Sequence, residues 1–270
     1  DCNSPEFLIE ETNQSLADTK VWLDASAQFG PLVKPIITPR FVPSCTSELM
    51  TGLAKLAKEY DVPVQSHLSE NHGEIDWVAS LHPESSNYTD VYYEHHLMGT
   101  VPTVMAHCIH LSDVEMDRMA GTQTMVSHCP YSNVNLSSGI APIRKLIERN
   151  IPIGLGSDIS GGHIVSMAKV LTEAIGLSKM KWAEVDPNYA PLTLSEAFYM
   201  ATKGGGQFFG HVGSFEKGYE LDALIIDDTS LFDPNERSLE ERLERWLYVG
   251  DDRHIIERYV AGRVVPSPKG

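Results

Sequence analysis

Five short apolar runs along these 270 residues each finish on an ionisable side chain, and helical spacing recurs between them. Residues 33–41 place Arg40 near their end. The run through Val62 and Val64 finishes on His67, with Glu70 three residues on; residues 103–108 carry His107, residues 123–130 carry His128, and residues 151–158 end in Asp158. Between them, residues 46–60 set Leu49, Leu53, Leu56, Ala57 and Tyr60 at steps of three to four, with Ser44 or Thr46 as cap. Residues 112–119 open on Ser112 and Glu115 at capping-box spacing, and residues 140–149 are amphipathic. Strand interiors of a parallel sheet are hydrophobic, so polar groups repeated at successive carboxyl ends belong to a site. The alternation predicts an α/β chain of the parallel (β/α) barrel type. An open doubly wound sheet is the other architecture, but no strand is followed by its G-x-G-x-x-G turn.

The flanks carry less information. Residues 5–30 have an imperfect apolar stripe closed by Gly30-Pro31, which predicts a helix; residues 83–90 predict a loop. Beyond Asp158, helices are expected over 165–180 and from the Thr193/Glu196 capping box to Thr202. A turn and a buried strand are expected over 213–228, a charged helix over 236–246 and a hairpin over 255–265. The expected division is a catalytic portion over 1–205 and a small β-rich segment over 206–270.

Charge and cysteine content exclude several partners. With 37 acidic against 21 basic residues the net charge is −16, which repels nucleic acid and anionic membranes. No stretch approaches the roughly 20 apolar residues of a membrane span. Cys2, Cys45, Cys108 and Cys129 form no C-x-x-C pair, so free thiols and a cytoplasmic location are expected.

Two imidazoles and a carboxylate, from His67, His107 and Asp158, form a donor set suited to Zn²⁺, with Fe²⁺ as the other candidate. A bound cation acidifies water, Asp158 can take or orient the proton, and Glu70 can carry it to a substrate ring nitrogen. Ser66 and Ser69 lie beside His67, but no G-x-S-x-G elbow supports a serine hydrolase. His128 is either a strand-end residue holding loop backbone or a substrate contact. His95, His96, His110, His163, His211 and His254 read as surface or loop histidines, and His72 and His82 have no evident partner.

Ser66-His-Leu-Ser-Glu70, Ala106-His107, Ser127-His-Cys-Pro-Tyr-Ser-Asn133 with Leu136-Ser-Ser-Gly139, and Gly156-Ser-Asp158 resemble, in order and spacing, the later motifs of the amidohydrolase superfamily. Lys34-Pro-Ile-Ile-Thr-Pro-Arg-Phe41, Gln65–Asn71 and Tyr248-Val-Gly-Asp-Asp-Arg253 narrow the resemblance to the branch that deaminates guanine. The resemblance implies a (β/α)8 metal-dependent hydrolase barrel with an accessory β-sandwich. It also implies a zinc cofactor, a purine substrate and a homodimer. Position by position it implies His67 and Asp158 as zinc ligands, His67 also facing substrate, and His107 at the metal or its bound oxygen. Glu70 becomes the proton shuttle that also contacts substrate, and Arg40 with Phe41 the purine-recognising pair. A guanidinium fork suits that role, because it can address a carbonyl and a neighbouring ring nitrogen in one plane.

One departure stands out. The family's first barrel strand bears an H-x-H pair, and none of the 11 histidines here forms one. Residues 33–158 are accordingly expected to supply barrel strands four to eight, the first three lying outside this sequence. A deaminase for another purine or a pterin, and a non-catalytic module built on the retained strands, remain the alternatives.

Overall fold

The computed structural model describes residues 2–266. Its helices are α1 (Thr12–Ser26), α2 (Ser47–Tyr60), α3 (His72–Leu81), α4 (Tyr88–Glu94), α5 (Asp113–Thr122), α6 (Pro130–Asn135), α7 (Ile143–Glu148), α8 (Met167–Glu184), α9 (Leu194–Tyr199) and α10 (Leu239–Val249). The strands are β1 (Val64–Leu68), β2 (Thr103–His107), β3 (Met125–His128), β4 (Ile153–Leu155), β5 (Ala223–Ile226), β6 (Ile255–Val260) and β7 (Arg263–Val264). The described residues form two compact units, one from 2–127 with Ala141–Pro152, the other from His128–Ile140 with 153–266.

In the first unit β1 pairs parallel with β2, Val64 opposite Thr103 and Leu68 opposite His107, and β2 pairs parallel with β3, Val104 opposite Met125. Both strand ends that matter most, His67 and His107, are thereby brought to the same end of neighbouring strands. Helix α2 packs through Leu49, Met50, Leu53, Ala54 and Ala57; Leu49, Leu53 and Ala57 belong to the stripe read from the sequence, whereas Leu56 and Tyr60 are only half-buried. Burying each of the larger of these contributes about 1.5–3 kcal/mol. Thr46 caps its start, accepting from the Leu49 N–H at 3.1 Å, and Asp61 ends it in the left-handed region at φ 50°.

Residues 33–41 do not form the expected strand. Pro35 and Pro39 have no N–H to donate, so the segment contributes an isolated parallel bridge, Ile37 to Val64. The Ile37 N–H donates to the Pro63 carbonyl at 2.9 Å, and the Gln65 N–H returns to the Ile37 carbonyl at 2.9 Å. The segment thus follows β1 without becoming regular strand. The long helix expected over 5–30 is also divided: a single 3-10 turn at Glu6–Leu8 precedes α1, whose start is set by Glu11 accepting from the Gln14 N–H at 2.9 Å. The loop expected over 83–90 gives way at Asn87, which caps α4 by accepting from the Asp90 N–H at 2.9 Å.

In the second unit, α8 buries Val170, Leu171, Ala174, Ile175 and Ser178 along one face. The Lys169 ammonium holds the end of α10, donating to the carbonyls of Leu247 and Tyr248 at 3.2 and 2.8 Å. The Thr193/Glu196 capping box forms as read, but α9 ends at Tyr199 and continues as a π-helical turn, Met200–Gly204. Strands β5, β6 and β7 form an antiparallel sheet with the 255–265 hairpin in place. Its β5 strand, expected to be buried, exposes Leu224 and Ile225. His254 corrects the surface reading in the other direction: it is buried, accepting from the Asp251 N–H at Nδ1 (3.1 Å) and paired with Ser230 Oγ at Nε2 (3.1 Å).

All four cysteines are free thiols. Among the described residues no helix is long and apolar enough to cross a membrane.

Candidate active site

The site grows from the end of β1. Ser66 is buried in this strand and is satisfied by the Pro39 carbonyl at 2.7 Å and the Tyr92 hydroxyl at 2.6 Å. Tyr92 also donates to the His67 carbonyl at 2.8 Å. The backbone under His67 is therefore held from α4, whose aromatic face the buried Tyr88 and Tyr92 rings build by stacking at 5.6 Å.

The His67 ring is fixed as well. Its Nδ1 lies 2.5 Å from the Arg40 carbonyl oxygen, and a carbonyl only accepts, so the proton sits on Nδ1. That leaves the Nε2 lone pair as the ring's donor to a metal, oriented by a backbone carbonyl as metal-binding imidazoles generally are.

His107, at the end of the neighbouring strand, is buried and stacks on His67 with ring centroids 5.3 Å apart and planes at 23°. Its backbone turns sharply there, with φ 69° at His107 and 53° at Cys108. Two consecutive left-handed non-glycine residues are costly, and such strain is found where a site must be held in one shape. Glu70 Oε2 lies 3.8 Å from His107 Nε2. Glu70 reaches that position because Ser69, at φ 50°, turns the chain as it leaves β1, its carbonyl receiving the N–H groups of Ile109 and His110 at 3.1 and 3.2 Å. His67, Glu70 and His107 are thus brought together within one unit.

Arg40 and Phe41 adjoin this group. The Arg40 carbonyl accepts the His67 Nδ1–H, its guanidinium lies 5.4 Å from the centre of the Phe41 ring and donates to Ser4 Oγ at 2.9 Å, and Phe41 meets Trp77 edge-on at 6.0 Å. Arg40 also lines a cavity of about 380 Å³, together with Glu10, Asp18, Trp22, Cys45 and Leu53 among others. None of His67, Glu70 and His107 lines it, so it is not the space their chemistry addresses.

Asp158 and His128 belong to the second unit. Asp158 takes a left-handed conformation, φ 43°, in a tight turn: the Gly162 N–H donates to its carbonyl at 2.6 Å and the Ser160 N–H to the Gly162 carbonyl at 3.0 Å. His128 is buried, and its backbone carbonyl accepts the Gly156 N–H at 2.9 Å. The donor chemistry of His67, His107 and Asp158 suits a borderline divalent cation. Among the described residues no three His, Cys, Asp or Glu side chains stand ready as a closed metal-binding group.

Several supporting residues were not read from the sequence. Glu74 is buried, accepts the Glu70 N–H at 2.8 Å and the Tyr88 hydroxyl at 2.7 Å, and so anchors the backbone of Glu70. Asn71-x-x-Glu74 has the cap spacing that marks a helix start, and Asn71 does accept from the Glu74 N–H at 2.9 Å. His72 and His82, without evident partners in sequence, meet the His110 ring at 4.0 Å and Glu84 Oε1 at 3.2 Å respectively.

The parallel α/β unit with histidine side chains at its strand ends has the fold of the metal-dependent hydrolases, and the chain belongs to the amidohydrolase family, whose model matches residues 8–265. Within that family it is most informatively compared with guanine deaminases. It is 44% identical to the guanine deaminase of Dictyostelium discoideum over 98% of this chain and 60% of the relative, and 35% identical to that of Escherichia coli K12 over 98% and 60%. A solved guanine deaminase from C. acetobutylicum, with guanine bound in its active site, superposes with a TM-score of 0.95 at 52% identity, covering 98% of this chain and 63% of the other. The chain therefore spans about 60% of the length of the curated relatives it matches.

Proposed function

We propose that this chain carries most of the active-site machinery of a guanine deaminase, an enzyme that hydrolyses guanine to xanthine and ammonia. Residues 1–205 would be the catalytic portion of a (β/α)8 barrel and 206–270 its accessory segment. The observation that carries the reading is the locked His67 ring beside Glu70 and His107, in a chain 52% identical to a structure holding guanine. A Zn²⁺ or Fe²⁺ ion held by His67, His107 and Asp158 would lower the pKa of water toward neutrality. Glu70 accepts a proton from water and returns it to the purine ring nitrogen, its backbone N–H held by Glu74. Arg40 donates to the purine carbonyl side, with Phe41 and Trp77 supplying an aromatic wall. Free thiols agree with a cytoplasmic enzyme, and a homodimer is the expected assembly.

In the full-length protein, Glu70→Gln should retain stoichiometric metal while kcat for guanine falls by at least about 10²-fold, the usual worth of a general acid–base group. Near-normal kcat overturns the assignment of Glu70. A substrate panel of guanine, 8-oxoguanine, adenine and a pterin tests specificity; preference for any but guanine overturns that part.

A further inference from the structure

Gly161 lies in the turn that starts at Asp158, and two side-chain oxygens stand where a side chain at this position would begin. A Cβ added there would lie 2.6 Å from Asp158 Oδ2 and 2.7 Å from Ser132 Oγ, so the carboxylate and the hydroxyl share one small space that exists only because residue 161 has no side chain. The arrangement is held from α6: Asn135 Nδ2 donates to the Gly161 carbonyl at 2.7 Å, and a Cβ on Gly162 would meet the Ser157 carbonyl at 2.7 Å and the Ser132 nitrogen at 3.3 Å. Ser132 is fully buried, and its Oγ has no hydrogen-bond partner among the described residues. Such a hydroxyl costs about 1–3 kcal/mol if it stays unmatched. The acceptor facing the same space is the Asp158 carboxylate, within reach of a small rotation or of one bridging water.

We propose that Ser132 is a positioning residue for Asp158: its Oγ–H fixes the orientation of the carboxylate, directly or through one water, and Gly161 keeps the space between them open. The inference rests on the reading of Asp158 as a metal ligand. A hydrogen bond to one carboxylate oxygen directs the other oxygen's lone pair, and loss of a partner of this kind costs about 10–100-fold in metal affinity.

The test uses the full-length protein loaded with zinc and titrated against a chelator, for wild type, Ser132→Ala, Gly161→Ala and Asp158→Asn, with melting temperatures of the metal-free proteins and steady-state kinetics alongside. Ser132→Ala should weaken zinc retention by about tenfold or more and lower kcat with KM unchanged. Its metal-free melting temperature should not fall below that of wild type, because the buried hydroxyl removed makes no hydrogen bond among the described residues. Gly161→Ala should lose zinc similarly, and if it does not fold the serine variant still decides. Zinc lost by Asp158→Asn but retained normally by Ser132→Ala overturns the positioning role alone. Normal retention by both overturns the Asp158 assignment together with it. A fall in the metal-free melting temperature of Ser132→Ala that accounts for its loss of zinc also overturns the proposal, since Ser132 would then be a packing residue.

Discussion

Replacing Tyr88 with phenylalanine tests the support beneath Glu70. The Tyr88 hydroxyl donates at 2.7 Å to Glu74 Oε1, and Glu74 spends its other oxygen on the Glu70 N–H at 2.8 Å. Both side chains are buried, so no water replaces the lost donor easily. The aromatic ring stays, and with it the stacking on Tyr92. What is lost is one hydrogen bond to a buried carboxylate, worth about 1.5–3 kcal/mol. Tyr88→Phe should therefore destabilise by about 2 kcal/mol, on the order of 4–8 °C in melting temperature for a unit of this size. The pH dependence gives an independent reading. Burial raises the Tyr88 pKa well above 10, with the Tyr92 phenol and the Glu74 carboxylate nearby pushing the same way. The folded protein thus keeps the phenol neutral where the unfolded chain begins to ionise. Stability from this group is complete below pH 10 and is lost as pH rises from there toward the folded pKa. Urea unfolding at pH 7 and through pH 9–11 should show wild type falling more steeply than Tyr88→Phe across the alkaline range. Equal slopes, or a difference at pH 7 under about 0.5 kcal/mol, would refute the argument that this hydroxyl is what satisfies Glu74.

Two further substitutions test local backbone reasoning. Gln123 ends α5 in the left-handed region at φ 53° and is exposed, so Gln123→Gly should raise stability by about 0.5–1 kcal/mol in thermal melts; a loss would mean its side-chain bond to the Ala120 carbonyl outweighs the backbone strain. Ser112 and Glu115 form a reciprocal capping box, with the Ser112 N–H donating to Glu115 at 2.8 Å. Ser112→Ala should cost about 1 kcal/mol and Ser112→Gly only a few tenths, an order that calorimetry of the two variants checks.

Parts of the structure legible in the sequence are those in which one residue pattern has one physical outcome. His67 and His107 end parallel neighbours because apolar runs of that length, separated by helical segments, pair in order, and their carboxyl ends then lie side by side. The capping boxes at Ser112 and Thr193 are equally local and were equally readable. Legibility fails where the outcome depends on a partner distant in the chain. Residues 33–41 have strand composition, yet Pro35 and Pro39 leave Ile37 as the point at which the segment both donates and accepts across to β1. Helix α4 has seven residues behind a Pro/Ser/Asn stretch, too short for periodicity to declare, and its Tyr92 is justified only by Ser66 and the His67 carbonyl on another element. Glu74 reads as a helix-start acid until Tyr88 and the Glu70 N–H are seen to converge on it.

The same distinction separates the residues that do chemistry from those that hold them. A histidine at a strand end declares itself by type; the carbonyl of Arg40 that assigns its proton does not, because any residue supplies a carbonyl. Side chain and backbone at position 40 thus carry separate roles. Its guanidinium, 5.4 Å from the Phe41 ring and donating to Ser4 Oγ, is the group proposed to address the purine, whereas its backbone orients His67 whatever side chain it bears. Replacing Arg40 should consequently weaken substrate recognition while leaving the His67 tautomer intact, which separates binding from metal affinity at a single position. The left-handed turns at Ser69, His107 and Cys108 follow the same logic: the strain is set by where the side chains must point, and the carbonyl and N–H groups exposed by those turns are consumed at once by Ile109, His110 and Leu68.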